Sequence, residues 1–212
     1  MYRAQPLDEL AWLEHGFGTR SSVEWLDPGE VASLRQIHSD TVLIADRAGC
    51  LGEGDASISN QPGIALAVRT ADCLPILIAD VRNRAVAAVH AGWRGAISGI
   101  VPKTLDAMRE RFGSRPEDLV IAIGPGIGAC CFEVGPEVAV RFAPFFPERQ
   151  DLAGRVKVDL VETVRRQLGR IGGAVGQLAA CGLCTVCHSD LFHSYRRDRD
   201  AAGRMVSAIR IR

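Results

Sequence analysis

The feature that most constrains the fold is a pair of apolar runs on either side of a short polar turn. Residues 76–79 and 85–89 are apolar, and residues 81–84 between them read Val-Arg-Asn-Arg. Short apolar runs bounded by turn residues are typical of buried β-strands. The pattern therefore predicts an antiparallel hairpin, and with it at least one β-sheet.

The remaining periodic segments add both strands and helices. Three more strands are predicted on the same grounds, at residues 41–45, 64–68 and 119–123. Apolar residues at helical spacing predict a helix over roughly residues 103–112, and Asp159 and Glu162 have the capping-box spacing of a second helix. The regular strand–helix alternation of a Rossmann fold is absent. We predict a single α/β domain over residues 1–212, with a mixed β-sheet flanked by helices.

Charge and cysteine content narrow the function classes. The 212 residues include 25 basic and 25 acidic side chains, so the formal net charge is zero. General binding to nucleic acid or to anionic membranes requires a basic excess, which is missing. The sequence shows no signal peptide and no apolar run of membrane-spanning length, and seven cysteines, an odd number, fit a reducing compartment. We expect a cytoplasmic protein that binds neither nucleic acid nor membrane.

The predicted hairpin brings a thiol and an imidazole to the same end of two strands. If the turn is centred directly after Val81, Cys73 lies opposite His90. If it is centred one residue later, Pro75 lies opposite His90 and Cys73 is its diagonal neighbour on the same face. Opposed Cα atoms are roughly 4.5–5.5 Å apart, and diagonal ones roughly 7–8 Å. Either register lets the two side chains share a metal ion or a proton, and the alternative is that both are core residues.

His38 is the natural third partner of this pair. One thiolate and two imidazoles suit Zn²⁺, and three protein ligands leave a fourth position for water or substrate, as in catalytic zinc sites. The sequence contains five histidines and no His-x-His pair. It cannot supply the histidines of a four-copper oxidase centre.

Cysteines are also concentrated near the end of the sequence, at Cys181, Cys184 and Cys187, and His188 follows them. The pattern Cys-x-x-Cys-His matches c-type haem attachment, but the missing export signal argues against haem. Two Cys-x-x-Cys spacings that share Cys184 could hold a structural zinc, but no second cysteine pair elsewhere in the sequence completes such a site. We expect free cysteines in a loop.

Seven short motifs form a set along the chain. They are residues 16–20 (GFGTR), 36–38 (QIH), 70–75 (TADCLP), 90–95 (HAGWRG), 123–128 (IGPGIG), 131–135 (CFEVG) and 193–198 (HSYRRD). Together they resemble the laccase-domain family, which is also labelled polyphenol oxidase, purine nucleoside phosphorylase and peptidoglycan editing factor.

The resemblance implies a zinc ion bound by His38, Cys73 and His90, with copper as the alternative ion. It also implies phosphorolysis of adenosine, inosine and methylthioadenosine to a ribose 1-phosphate and a free base, with adenosine deamination as a further activity. The partners would be a small nucleoside and phosphate.

Individual roles follow as hypotheses. We expect the catalytic groups to be Cys73, His90 and Asp72. Asp40 is a second carboxylate considered for orientation or proton transfer. The phosphate would be bound by one or more of the arginines Arg20, Arg94 and Arg196.

Two other functions fit the same residues. In the first, Cys73 is the nucleophile and His90 the base of a Cys–His hydrolase that cleaves an amide in a peptidoglycan precursor. In the second, the chain binds a metal ion without turning over any substrate.

Overall fold

The computed structural model describes residues 1–22 and 25–212. Within those ranges the strands are β1 (Leu13–Phe17), β2 (Val31–Arg35), β3 (Val42–Ile44), β4 (Gly49–Glu53), β5 (Ala56–Ser59), β6 (Ala65–Thr70), β7 (Leu74–Asp80), β8 (Ala85–Ala91), β9 (Leu119–Ile123), β10 (Glu133–Val134), β11 (Val156–Lys157), β12 (Gln177–Ala180) and β13 (Met205–Ile211). The α-helices there are α1 (Gln5–Asp8), α2 (Trp93–Ile97), α3 (Ile100–Phe112), α4 (Pro136–Ala139), α5 (Leu160–Leu168) and α6 (Tyr195–Asp198).

The strands form two mixed sheets. One has the order β1-β13-β6-β2-β4, and the other β12-β9-β7-β8-β5-β3, while β10 and β11 make a separate two-stranded ribbon. Each large sheet contains parallel and antiparallel pairs. The predicted α/β fold with mixed strands flanked by helices is confirmed, with two large sheets where the sequence predicted one.

The six-stranded sheet is the middle layer of the molecule. In β7, Leu77 and Ala79 pack into a core shared with the five-stranded sheet. Ile76 and Ile78 point the other way, into a core shared with α3 and α5. Because successive residues of a strand face opposite sides, a strand buried on both sides must be apolar throughout. This double burial explains the uninterrupted apolar runs that flank the hairpin turn.

The hairpin adopts the second of the two predicted registers. Pro75 lies opposite His90 in the β7–β8 pair. The turn is held by the buried carboxylate of Asp80, which accepts hydrogen bonds from the backbone N–H groups of Arg82 and Asn83, each at 2.9 Å. The prediction that Cys73 and His90 share the open end of one hairpin is confirmed.

Both predicted helices are present with adjusted ends. Helix α3 starts at Ile100, so Pro102 lies in its first turn, where a missing N–H costs nothing. Asp159 caps α5 by accepting a hydrogen bond from the Glu162 N–H at 2.9 Å, as its spacing predicted. None of the helices in residues 1–22 and 25–212 has the length and apolar character that a membrane span requires.

Candidate functional site

The candidate site lies where the chain passes three times from the five-stranded sheet to the six-stranded one. The β2–β3 connection carries His38, the β4–β5 connection carries Asp55, and the β6–β7 connection carries Cys73. Strands β2, β4 and β6 are parallel neighbours, so their carboxyl ends meet at one edge. His90, near the end of β8, arrives at the same edge because β8 runs antiparallel to β5 and β7.

The structure brings His38, Cys73 and His90 together. The Cys73 Sγ and His38 Nε2 atoms are 3.9 Å apart, and the His38 and His90 ring centroids are 4.9 Å apart. One ligand atom from each residue lies within 4.8 Å of the other two. His90 is buried, Cys73 is half-buried and His38 is exposed, so the group is open to solvent on the His38 side.

Asp55 holds this arrangement in place, a role that the sequence did not reveal. Its fully buried carboxylate accepts a hydrogen bond from His90 Nδ1 at 2.7 Å. It also accepts hydrogen bonds from the His38 N–H at 3.0 Å and from the Ser39 hydroxyl at 2.6 Å. One carboxylate therefore fixes both the His90 ring and the loop that carries His38. Asp55 and His90 are far apart in the sequence, with no local motif to link them.

The charges in this group support one another. Burial alone raises the pKa of Asp55, but hydrogen bonds from His90 and Ser39 bring it down to about 2. Burial lowers the pKa of His90, but its bonds to Asp55 and Cys73 raise it to about 9. Burial raises the pKa of Cys73, yet the two imidazoles lower it to about 7. The site thus favours an ionised thiol beside a carboxylate-backed imidazole.

The donor set fits a single zinc ion. Tetrahedral zinc with ordinary Zn–S and Zn–N lengths would place sulfur and nitrogen roughly 3.6 Å apart, close to the 3.9 Å between Cys73 and His38. A carboxylate only accepts hydrogen bonds, so His90 Nδ1 is the donor to Asp55, and Nε2 is the ring atom left to bind a metal ion in exchange for its proton. A metal-ligating histidine is commonly backed by a carboxylate in this way.

The Asp72 carboxylate has different partners from that of Asp55 and bonds to the segments that carry Thr185 and Arg196. The Asp72 φ of +89° is unusual for a residue with a side chain, and three contacts hold the residue there. Its carboxylate accepts from the Thr185 hydroxyl and from the Arg196 backbone N–H, both at 2.6 Å, and its carbonyl accepts from the Ile127 N–H. These contacts anchor the turn before Cys73. A catalytic role for Asp72 stays a prediction.

The three predicted arginines lie in separate settings. Arg94 is exposed, and its guanidinium carbon lies 4.6 Å from the centre of the Trp93 ring. It comes two residues after Gly92, where an added Cβ atom would lie 3.0 Å from the Cys73 sulfur. The Arg196 guanidinium donates to the backbone carbonyl of Glu133 at 2.9 Å. Arg20 donates to the Ser189 carbonyl at 2.8 Å. Their roles in binding phosphate stay predictions.

Arg20 also lines a cavity of about 430 Å³ over the five-stranded sheet, together with Arg69 and Arg204. None of His38, Cys73 and His90 is among the residues that line this cavity. Asp40, the other carboxylate considered from sequence, forms an ion pair with Lys103.

The expectation for the cysteines near the end of the sequence was wrong in one respect. A second cysteine pair does exist: Cys130 and Cys131 lie beside Cys184 and Cys187. The sequence could not show this, because the two pairs are brought together by the parallel β9–β12 pairing. All four thiols are free of disulfide bonds.

Comparisons with known proteins agree with this architecture. The structure of a hypothetical protein YfiH from Bacillus licheniformis superposes with a TM-score of 0.86 at 28% identity, covering 94% of this chain and 93% of that one. YlmD from Geobacillus stearothermophilus gives a TM-score of 0.86 at 26% identity, covering 95% and 93%.

Sequence relatives carry an enzyme name. A Bacteroides thetaiotaomicron protein named purine nucleoside phosphorylase is 41% identical over 163 residues, which are 74% of this chain and 60% of that protein. A Clostridium acetobutylicum protein with the same enzyme name is 35% identical over 192 residues, covering 90% of this chain and 80% of that protein. A family model described as multi-copper polyphenol oxidoreductase laccase matches residues 19–212. The chain belongs to this laccase-domain family, as its motifs indicated.

Proposed function

We propose that residues 1–212 act as one zinc-dependent purine nucleoside phosphorylase domain, taking adenosine, inosine and methylthioadenosine and also deaminating adenosine. The observation that carries the proposal is the open group of His38, Cys73 and His90, with His90 oriented by Asp55. The enzyme name shared by the relatives points to purine nucleosides and phosphate as substrates.

The ligand set favours a single zinc ion over a multi-copper centre. Among the described residues, the groups able to hold a metal contain two histidines, His38 and His90. His15 is buried elsewhere and accepts a hydrogen bond from the Ala4 N–H. A borderline-soft set of two imidazoles and one thiolate suits zinc.

When bound by these three residues, zinc would act as a Lewis acid with one coordination position free for phosphate or water. In phosphorolysis a phosphate oxygen bonds to ribose C1′ while the bond from C1′ to the base breaks, and the base leaves with the proton that phosphate gives up. Arg94, exposed beside Gly92, would neutralise phosphate charge. Asp55 would keep His90 in one tautomer throughout.

Deamination would use water in place of phosphate and release ammonia from the purine ring. Cys73 and His90 would be occupied as zinc ligands during this reaction, so the proton transfer would fall to another group, for which Asp72 is the predicted candidate. Both activities would then depend on the same residues.

The test is hypoxanthine release from inosine, with and without phosphate, by zinc-loaded protein. We expect release to need phosphate and to fall at least about 100-fold in His90→Ala. Cys50→Ser, a change at an exposed cysteine outside both metal-ligand groups, should leave it unchanged. In phosphate-free buffer, adenosine should yield inosine and ammonia, again dependent on His90. Zinc-loaded protein that releases no base, or a fully active His90→Ala variant, would refute the proposal.

A second function is favoured by one specific arrangement. The imidazole of His90 lies between the thiol of Cys73 and the carboxylate of Asp55 and is hydrogen-bonded to both. A Cys–His hydrolase uses this order of thiol, imidazole and carboxylate. Such an enzyme would cleave an amide in a peptidoglycan precursor without metal. Chelation should abolish nucleoside phosphorolysis and leave amide hydrolysis intact, so the two functions are separable in one experiment.

A further inference from the structure

Cys130, Cys131, Cys184 and Cys187 have the geometry of a second metal site. The Cys187 Sγ atom lies 3.6 Å from that of Cys130 and 3.5 Å from that of Cys131. With Cys184, all four sulfurs lie within 4.8 Å of one another. Four thiolates around tetrahedral zinc, at a Zn–S length of about 2.3 Å, would be about 3.8 Å apart. An iron–sulfur cluster would need its four thiolates spread more widely, around several iron atoms.

The sequence folds these residues together through two parallel strands. Cys130 and Cys131 follow β9, and Cys184 and Cys187 follow β12, its parallel neighbour. The connections after parallel neighbours emerge at the same edge of a sheet, and a bridge from Gly126 to Cys184 continues the pairing beyond the strands. The two cysteine pairs therefore belong to segments that lie side by side.

Close backbone contacts hold the two cysteine segments around the sulfurs. The Gly128 N–H donates to the Cys184 sulfur at 3.3 Å. A Cβ atom at Gly128 would lie 3.3 Å from the Cys130 sulfur and 3.2 Å from the Cys184 Cβ, so a side chain there would crowd both cysteines. Two guanidinium groups hold the backbone on either side: Arg196 donates to the Glu133 carbonyl and Arg197 to the Thr185 carbonyl.

Four thiols this close cannot all ionise without a cation between them, because each thiolate opposes the ionisation of the next. A divalent cation removes that repulsion, and soft thiolate ligands in tetrahedral geometry select zinc. Four protein ligands leave no position for substrate, which is the pattern of a structural site.

We propose that Cys130, Cys131, Cys184 and Cys187 bind a structural zinc ion, separate from the open site at His38, Cys73 and His90. This ion ties the segment after β9 to the segment after β12. Thr185 lies between two of its ligands and bonds the Asp72 carboxylate, so the second site supports the turn that presents Cys73. The proposal does not rest on the enzymatic activity.

The first test removes the open site. The double variant His38→Ala/Cys73→Ser, purified in reductant without a histidine tag, is analysed for zinc content and by zinc X-ray absorption. We expect about one zinc per chain with four sulfur ligands at about 2.3 Å. Adding Cys184→Ser should remove that zinc. Adding Cys181→Ser, a change in the same segment but outside the cluster, should retain it.

The second test needs no variant of the cluster. Wild-type protein is treated with an alkylating agent before and after chelation, and the labelled cysteines are mapped by mass spectrometry. Cys130, Cys187 and Cys50 are all exposed, so exposure alone predicts equal labelling. We expect zinc to protect Cys130 and Cys187 but not Cys50, and chelation to remove the protection. Equal labelling in both states, a disulfide within the cluster, or iron or copper in place of zinc would overturn the proposal.

Discussion

Asp55→Asn is the substitution that most directly tests how the open site is organised. The Asp55 carboxylate accepts hydrogen bonds from His90 Nδ1 and from the loop at His38 and Ser39. An asparagine side chain has one acceptor oxygen in place of two. If that oxygen serves the loop, its NH₂ group faces His90 Nδ1, which must then accept. The neutral ring then keeps its one proton on Nε2, the atom that would bind zinc.

The expected loss follows from this change of tautomer. Removing a carboxylate that orients a ligating histidine lowers metal affinity about 10- to 100-fold, or about 1.4–2.8 kcal/mol. Losing a charged acceptor of several hydrogen bonds should also cost about 1.5–3 kcal/mol of stability, or roughly 3–12 °C in Tm for a chain of this size.

The assay is a zinc titration against a competing chelator, in a Cys184→Ser/Cys187→Ser background that leaves only the open site. Asp80→Asn is the matched control, because Asp80 is also fully buried and its carboxylate accepts three hydrogen bonds at the opposite end of β7. It should lose stability and keep its zinc affinity. If both variants weaken zinc binding equally, or if Asp55→Asn binds within roughly twofold of the parent protein, the reasoning is wrong.

Two further outcomes follow from the structure. A Cβ atom on Gly92 would lie 3.0 Å from both the Cys73 sulfur and the His38 ring, so Gly92→Ala should weaken zinc binding about tenfold with little change in Tm. The control Gly172→Ala places its new Cβ in open space and should change neither quantity. A normal zinc Kd for Gly92→Ala would contradict this expectation. Burial lowers the pKa of His15, so the folded state favours the neutral ring. Compared with His15→Gln, the protein should therefore lose up to about 1.4 kcal/mol of stability for each pH unit below about 6.5. Urea unfolding at pH 5 to 8 measures this loss, and parallel pH profiles of the two proteins would count against it.

The parts of the structure that were predictable depend on local chemistry. The hairpin from Leu74 to Ala91 is specified by two apolar runs and a turn held by Asp80, so the sequence alone limited it to two registers. The cap of α5 at Asp159 is likewise a contact across a few residues. A turn or a helix cap of this kind can be predicted because the residues that form it are close together in the sequence.

The parts that were not predictable depend on long-range strand pairing. Asp55 reaches His90 because β5 lies against β8, with Ala56 opposite Val89. The two cysteine pairs meet because β9 lies against β12. The residue spacing within the individual strands does not indicate which strands pair with each other. The sequence therefore predicted the group of His38, Cys73 and His90 that the structure brings together, and it missed the carboxylate that orients His90.

The position of β13 has a consequence for the order in which the protein can fold during synthesis. This strand lies between β1 and β6, pairing Leu13 with Ile211 on one side and Ala65 with Arg210 on the other. Until residues 205–211 leave the ribosome, β1 has no neighbour in its sheet and β6 has an unpaired edge. A nascent chain that has already formed the β7–β8 hairpin thus still exposes open strand edges, which are sites of aggregation.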